Sequence, residues 1–307
     1  MKLSGVGVVC AGGAGVDALK VYLKNPDAPK PMPMGNKELL PVLQIPSEVF
    51  KNPLLAPVRR ADRFSKMTLL AALEAWQGAE ADLSRVGIIL ASACGPHATV
   101  FKFVNDLLDF GESKSSPTVF SQSVHAAAAS MIASTIQSHG PVLNLADLAF
   151  PFESALTLAD AWLEEGRCDV VLVGATEEMS DVYVHAISRM WGNRFVPGEG
   201  SFFFRLERDG TGPSLRVQHT IPDTASCLLE NSEALGGASE DRAPGTSFVR
   251  HSGSLRIGGA FLLAVAELIR RGERLVGMTE TGTVSPIQIV STCGKRQRVI
   301  VMEKDIL

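Results

Sequence analysis

Residues 140–162 read GPVLNLADLAFPFESALTLADAW, and their order decides the fold. VLNL is a short apolar run of the kind a buried strand makes. LADLAFP is a tight apolar and acidic turn, and ESALTLADAWLEEG places apolar residues at helical spacing. A strand that feeds a helix through a sharp turn is where α/β enzymes often mount a nucleophile. This turn holds no cysteine.

Working outward, SPTVFSQSVHAAAASMIASTIQSHGP (116–141) stands ahead of that stretch and EEGRCDVVLVGATEEMS (164–180) behind it. LSGVGVVCAGGAGVDAL (3–19) reads as an opening strand and glycine turn, VRRADRFSKMTLLAALEAW (58–76) as a helix, and RVGIILASACGP (85–96) as a second strand. FVPGEGSFFFRLERDG (195–210) closes the series. In this order the segments resemble the β-ketoacyl synthases of fatty-acid and polyketide assembly, members of the thiolase-fold superfamily. That family carries a nucleophile turn of the type DTACSSS and a later strand of the type DxVLVGG(A)E. The resemblance covers roughly the first 210 residues. It implies a thiolase-like α/β fold, layered αβαβα, with a complete N-terminal half over residues 1–210 and an abridged C-terminal half over 211–307.

Counting from the shared Gly140-Pro141, the resemblance puts Ala149 where the reactive cysteine stands; matching Asp147 to the family's aspartate puts Phe150 there. Neither side chain attacks a thioester. A condensing enzyme needs a thiolate at a helix N-terminus, where dipole and backbone N–H groups lower a thiol pKa of about 8.5. Of the five cysteines, Cys10 belongs to the first strand and its turn, Cys168 precedes a buried strand, and Cys227 and Cys293 fall in the second half. Cys94, at the strand end ASACGP, is the rival candidate, set against the ordinary role of a buried structural thiol.

Active members also use two histidines from the second half, in an HGTGT turn and in a GHxxxAAG turn that opens a helix. Here SFVRHSGSLRIGGAFLLAVAELIRRG (247–272) offers one. Its helix matches the second element with Gly253 on the glycine and Ser254 where the histidine belongs; alternatively His251 begins a turn like the first. The plainer reading of His251 is a polar turn residue before a helix. His125, in SVHAAAAS, matches a family segment that runs along the dimer seam toward the pocket, and a histidine bonded at an interface is its plainer role. His97, His139, His185 and His219 read as surface or structural.

The 307 residues, 46% hydrophobic and 20% charged, suffice for one large α/β core or two smaller ones. A net charge of −4 gives no basic stripe for nucleic acid. No run approaches the roughly 18 apolar residues that cross a bilayer. The start MKLSGVGVVC continues through Gly12, Gly13 and Gly15 into a turn and helix, so a cytoplasmic address is expected rather than a signal peptide. An odd number of cysteines without paired spacing fits a reducing compartment. VCAGGAG departs from the GxGxxG spacing, and no cofactor or metal is expected. Glu177-Glu178 at a strand end is read as loop support.

Past Gly210 the expectation is a strand SLRVQHTI (214–221), a polar, turn-rich connection over 222–245, one sandwiched apolar helix, and a closing pair IQIVSTC and RQRVIVMEK. The resemblance then suggests a chain-length-factor type of subunit: ketosynthase-like, without the cysteine, paired with an active ketosynthase subunit as a heterodimer and served by an acyl carrier protein. In such a subunit bulk becomes function. Phe150 and Phe152, flanking Pro151, bound the acyl channel, and Phe120 reaches across the seam; ordinary core packing is the alternative for all three. Two other readings stay open. One is an active acyltransferase or condensing enzyme whose nucleophile is Cys94, Ser154 or His251, and the other is a homodimeric acyl-binding scaffold.

Overall fold

The computed structural model describes residues 1–33, 39–191, 196–219, 227–232, 246–247, 257–273, 286–293 and 296–303. The first part runs β1 (Lys2–Cys10), the short β2 (Gly13–Ala14), α1 (Val16–Lys24), β3 (Lys30–Pro33), β4 (Leu39–Val42), α2 (Arg63–Trp76) and β5 (Val86–Ser92). It continues through α3 (His97–Phe110), α4 (Pro117–Ser123), α5 (Ala126–Ile136), β6 (Val142–Ala146), α6 (Pro151–Glu164), β7 (Val170–Glu177), α7 (Asp181–Trp191) and β8 (Gly200–Glu207). The second part adds β9 (Ser214–Gln218), β10 (Cys227–Ser232), β11 (Thr246–Ser247), α8 (Gly258–Arg270), β12 (Ile287–Cys293) and β13 (Arg296–Glu303).

The strand order repeats itself. In the first part the strands lie β1-β8-β7-β5-β6, with β8 antiparallel to both neighbours and β7, β5 and β6 parallel. In the second they lie β9-β13-β12-β10-β11, with β13 antiparallel to both neighbours and β12, β10 and β11 parallel. The two sets meet where Lys2 of β1 pairs with Ser214 of β9. In each, the helix that precedes the fourth strand of the set lies between the sheets: α6 before β7, and α8 before β12.

Side-chain alternation builds the layers. Val171, Val173 and Ala175 of β7, with Phe202 and Phe204 of β8, face inward to a core shared with α6, α8, Ile287, Ile289, Ile300 and Met302. Val170, Leu172 and Phe203 face outward to a second core under α2 and α5. A strand buried on both faces reads as a continuous apolar run, as VVLVGA does. From Gly258 to Ile269 every residue of α8 is buried, so the helix is apolar all round because it is covered all round. This is the thiolase-like layering.

One expectation is corrected. Residues 222–245 are not connection throughout, since Cys227–Ser232 is a strand paired along its length with β12. The Ala-rich stretch forms two helices, broken between Ser123 and Ala126. Neither chemistry nor charge breaks it; Val124 leaves the helical region at ψ 139°.

Candidate functional site

Among the described residues β6 is an edge strand, with Val142–Ala146 paired only with β5 in the register Ile88↔Val142 to Ser92↔Ala146. The chain then turns through Asp147 into α6, with Pro151 at a first-turn position that has no need of an N–H partner. One carboxylate organises the turn. Asp147 Oδ1 accepts from the Ala149 N–H at 2.8 Å and Oδ2 accepts from Ser154 Oγ at 3.1 Å. Ser154 is thus a brace between turn and helix, with its proton directed at a carboxylate.

Ala149 is half-buried in this turn. Phe150, 4% exposed, lies beneath the guanidinium groups of Arg298 and Arg296, at 5.3 and 5.9 Å from its ring centroid. Phe152 is fully buried against Phe204, ring centroids 5.3 Å apart. The next residue, Glu153, is buried against Gly259 of α8 and accepts a hydrogen bond from Ser291 Oγ of β12. Burial pushes its carboxyl upward in pKa. Gly259 of α8 exists to admit this carboxyl, because a Cβ there would overlap Glu153 Oε1.

The second group of candidates stands at the end of β5. Glu177 Oε1 accepts from Ser92 Oγ at 2.8 Å and from the N–H groups of Ala93 and, at 3.3 Å, Cys94. Cys94 is half-buried, and the next residue, Gly95, has φ +63°. The ring of His125 covers Gly95, its Nε2 2.6 Å from where a Cβ would stand. The structure therefore brings His125 to the Cys94 turn from a distant segment. Beside it, Glu178 accepts the Ala98 N–H at 2.8 Å and lies 3.9 Å from His97 Nδ1. Burial raises Glu178 to about 8 and lowers His97. Arg63 binds the buried Glu199, which also accepts the Ile45 N–H at 2.8 Å and the Met179 N–H at 3.2 Å, fixing the loops around the strand ends.

Two of the other thiols, Cys10 and Cys168, are buried and poor nucleophiles. Burial raises Cys10 to about 12 and also raises Cys168. Phe120 and His125 are exposed on the single chain, and Phe120 packs on Phe103 with ring centroids 5.2 Å apart. No hydrogen bond or ring contact among the described residues links Phe120 or His125 to the Ala149 turn. His251 and Ser254 lie outside the described residues, as does Gly253. The described residues hold no His, Cys, Asp and Glu grouping arranged for a metal ion and no helix long and apolar enough to cross a membrane. Sequence reasoning passed over Glu153, Arg296 and Arg298; the only advance signal was charge within otherwise apolar strand and helix patterns.

Residues 41–233 match the family model of the β-ketoacyl synthase N-terminal domain. The chain belongs to the β-ketoacyl synthase family. No curated protein matches it in sequence. Solved structures of similar fold include the ishigamide ketosynthase/chain length factor, at 15% identity and TM-score 0.73 over 99% of each chain. A type II polyketide acyl-carrier protein in complex with its ketosynthase bound to the hexaketide gives 14% identity and TM-score 0.79, again over 99% of each chain. A ketosynthase in complex with its chain length factor from Xenorhabdus doucetiae gives 12% identity and TM-score 0.74, over 99% of this chain and 98% of that one. At these identities the likeness is one of fold, and a ketosynthase fold here surrounds a turn lined by Ala149 and Phe150.

Proposed function

We propose that this chain is a ketosynthase-like subunit without condensing activity of its own, which pairs with an active ketosynthase and helps to bound the acyl chain that an acyl carrier protein delivers. The observation that carries this reading is the β6–α6 turn, where the residues aligned with a nucleophile are Ala149 and Phe150 and the nearby Ser154 hydroxyl is held by Asp147. Hydrocarbon at that point leaves no atom to form a thioester.

Pairing is supported by unused surface. β6 presents an unpaired edge with Val142 exposed, and the side-chain Oδ1 of Asn144 is buried without a hydrogen-bond partner. α5 lines β6, α4 packs on α5, and α3 on α4; from these helices Phe101, Val104, Leu108 and Phe120 face solvent. Edge strands and apolar faces of this kind are aggregation hazards unless covered. A ketosynthase offering the matching edge strand is the occupant proposed. A groove of about 530 Å³ lined by Arg59, Arg60, Gln122 and Met131 supports docking of an acidic carrier protein. Division of the chain into halves near residue 210, and a cytoplasmic location, belong to the same proposal.

Co-expression with a full-length ketosynthase tests it. Size-exclusion chromatography with mass measurement is expected to give a one-to-one mixed dimer. A chain that remains a self-paired homodimer in the presence of excess ketosynthase would instead favour the acyl-binding scaffold. The proximity of His125 to the Cys94 turn is the one observation on the side of a relocated nucleophile, and acyl labelling that Cys94→Ser abolishes would establish it.

A further inference from the structure

The β12–β13 hairpin ends over the start of α6 with two arginines. In its antiparallel register Arg296 lies opposite Cys293 and Arg298 opposite Ser291. Directly opposed residues project to the same face of a sheet. Both arginines therefore leave β13 on the face from which Ser291 reaches Glu153, and both guanidinium groups come over the one ring of Phe150.

Among the described residues neither arginine makes an ion pair, and the single hydrogen bond is from Arg298 Nη1 to the Gln297 carbonyl at 3.0 Å. Asp147 is engaged by Ala149 and Ser154. Glu153 is sealed under the turn, bonded by Ser291 and held toward its neutral form by burial. Two cations crowded on one aromatic face repel each other, and apart from the Arg298–Gln297 bond their forked N–H donors have no partner among the described residues. Planar guanidinium pairs of this kind suit the bidentate recognition of phosphate and carboxylate.

We propose that Arg296 and Arg298 form an oxyanion-binding site above Phe150, which takes a phosphate or carboxylate group of an acyl substrate or of the arm that carries it. The anion chemistry stands on the arginines; the acyl source rests on the function proposed above. Phe150 has a second role here, as the platform that fixes both forks at the mouth of the turn.

The test is calorimetric titration of the full chain with inorganic phosphate, malonate and phosphopantetheine at matched ionic strength. Wild type is expected to bind at least one of the three. Arg296→Ala/Arg298→Ala should weaken that binding by about 100-fold, roughly tenfold per guanidinium. Arg296→Lys/Arg298→Lys keeps the charge and the fold while removing the fork, and should fall between. Arg59→Ala/Arg60→Ala, in the separate groove, should bind as wild type does. Tighter binding of phosphopantetheine or phosphate than of malonate assigns the anion to a carrier arm, and the reverse assigns it to a dicarboxylic acyl group. Absence of binding in the wild type, or equal affinity in wild type and the folded lysine and alanine variants, overturns the site. That failure would leave the mixed-dimer result untouched, so the two proposals fall separately.

Discussion

At the scale of single residues, buried carboxyls set the behaviour of this chain. Glu178 is displaced from 4.5 to about 8 because burial disfavours its charged form. In the unfolded chain it ionises near 4.5, so the folded state holds a proton that the unfolded state has lost over the window up to about 8. Its contribution to stability is complete below that window and is lost as pH rises through it. His97 works in the opposite sense, since a lowered imidazole costs stability as pH falls. Denaturant titrations between about pH 5 and pH 9 should show the wild type losing stability relative to Glu178→Gln as pH rises. Parallel profiles would refute the assignment. The lack of a cysteine in the turn is legible in the sequence, where the count from Gly140-Pro141 reaches Ala149 and the match to Asp147 reaches Phe150. The ring of cations and the sealed carboxyl around the turn are not. Arg296, Arg298 and Glu153 meet only through a strand register and a helix crossing set by residues more than a hundred positions apart.

At the scale of elements, one polar contact inside an apolar layer fastens α6 to β12, and it lies against α8. Glu153 occupies the space that Gly259 leaves and takes the Ser291 hydroxyl. Gly259→Ala should cost about 1–3 kcal/mol through overpacking against the carboxyl. With Glu153→Ala already in place the same substitution should cost less, giving a coupling of about 0.5–3 kcal/mol in a double-mutant cycle read by chemical denaturation. Strict additivity would mean that the two residues do not compete for one space. Periodicity exposed α8, buried from Gly258 to Ile269, and β12 and β13, whose apolar stretches 287–291 and 299–302 are buried. It did not expose β10. CLLENS is short, ends in polar residues and is held by parallel pairing with β12 and β11, distant segments that no local pattern announces.

At the scale of the whole molecule, a five-strand path is repeated, and β6 closes one end of it with an edge that has no strand partner among the described residues. The proposed pairing uses that edge. If β6 is the seam, Asn144→Asp should weaken mixed-dimer formation with a ketosynthase by at least roughly tenfold, because a charge placed at a partly buried edge has to be desolvated when the strands meet. Sedimentation at a series of concentrations reads that change, and an unaltered dimer constant would move the seam elsewhere. The order of motifs made the first half and its family readable, because each segment repeats a pattern of burial that the sheet imposes. The partner and its cargo depend on surfaces, and surface residues are little constrained by packing.

The most direct measurement is the intact mass of each subunit after the mixed dimer has been incubated with an acyl thioester on its carrier protein. The account predicts an acyl adduct on the ketosynthase and none on this chain. An adduct on this chain, at Cys94 or any other residue, would contradict it.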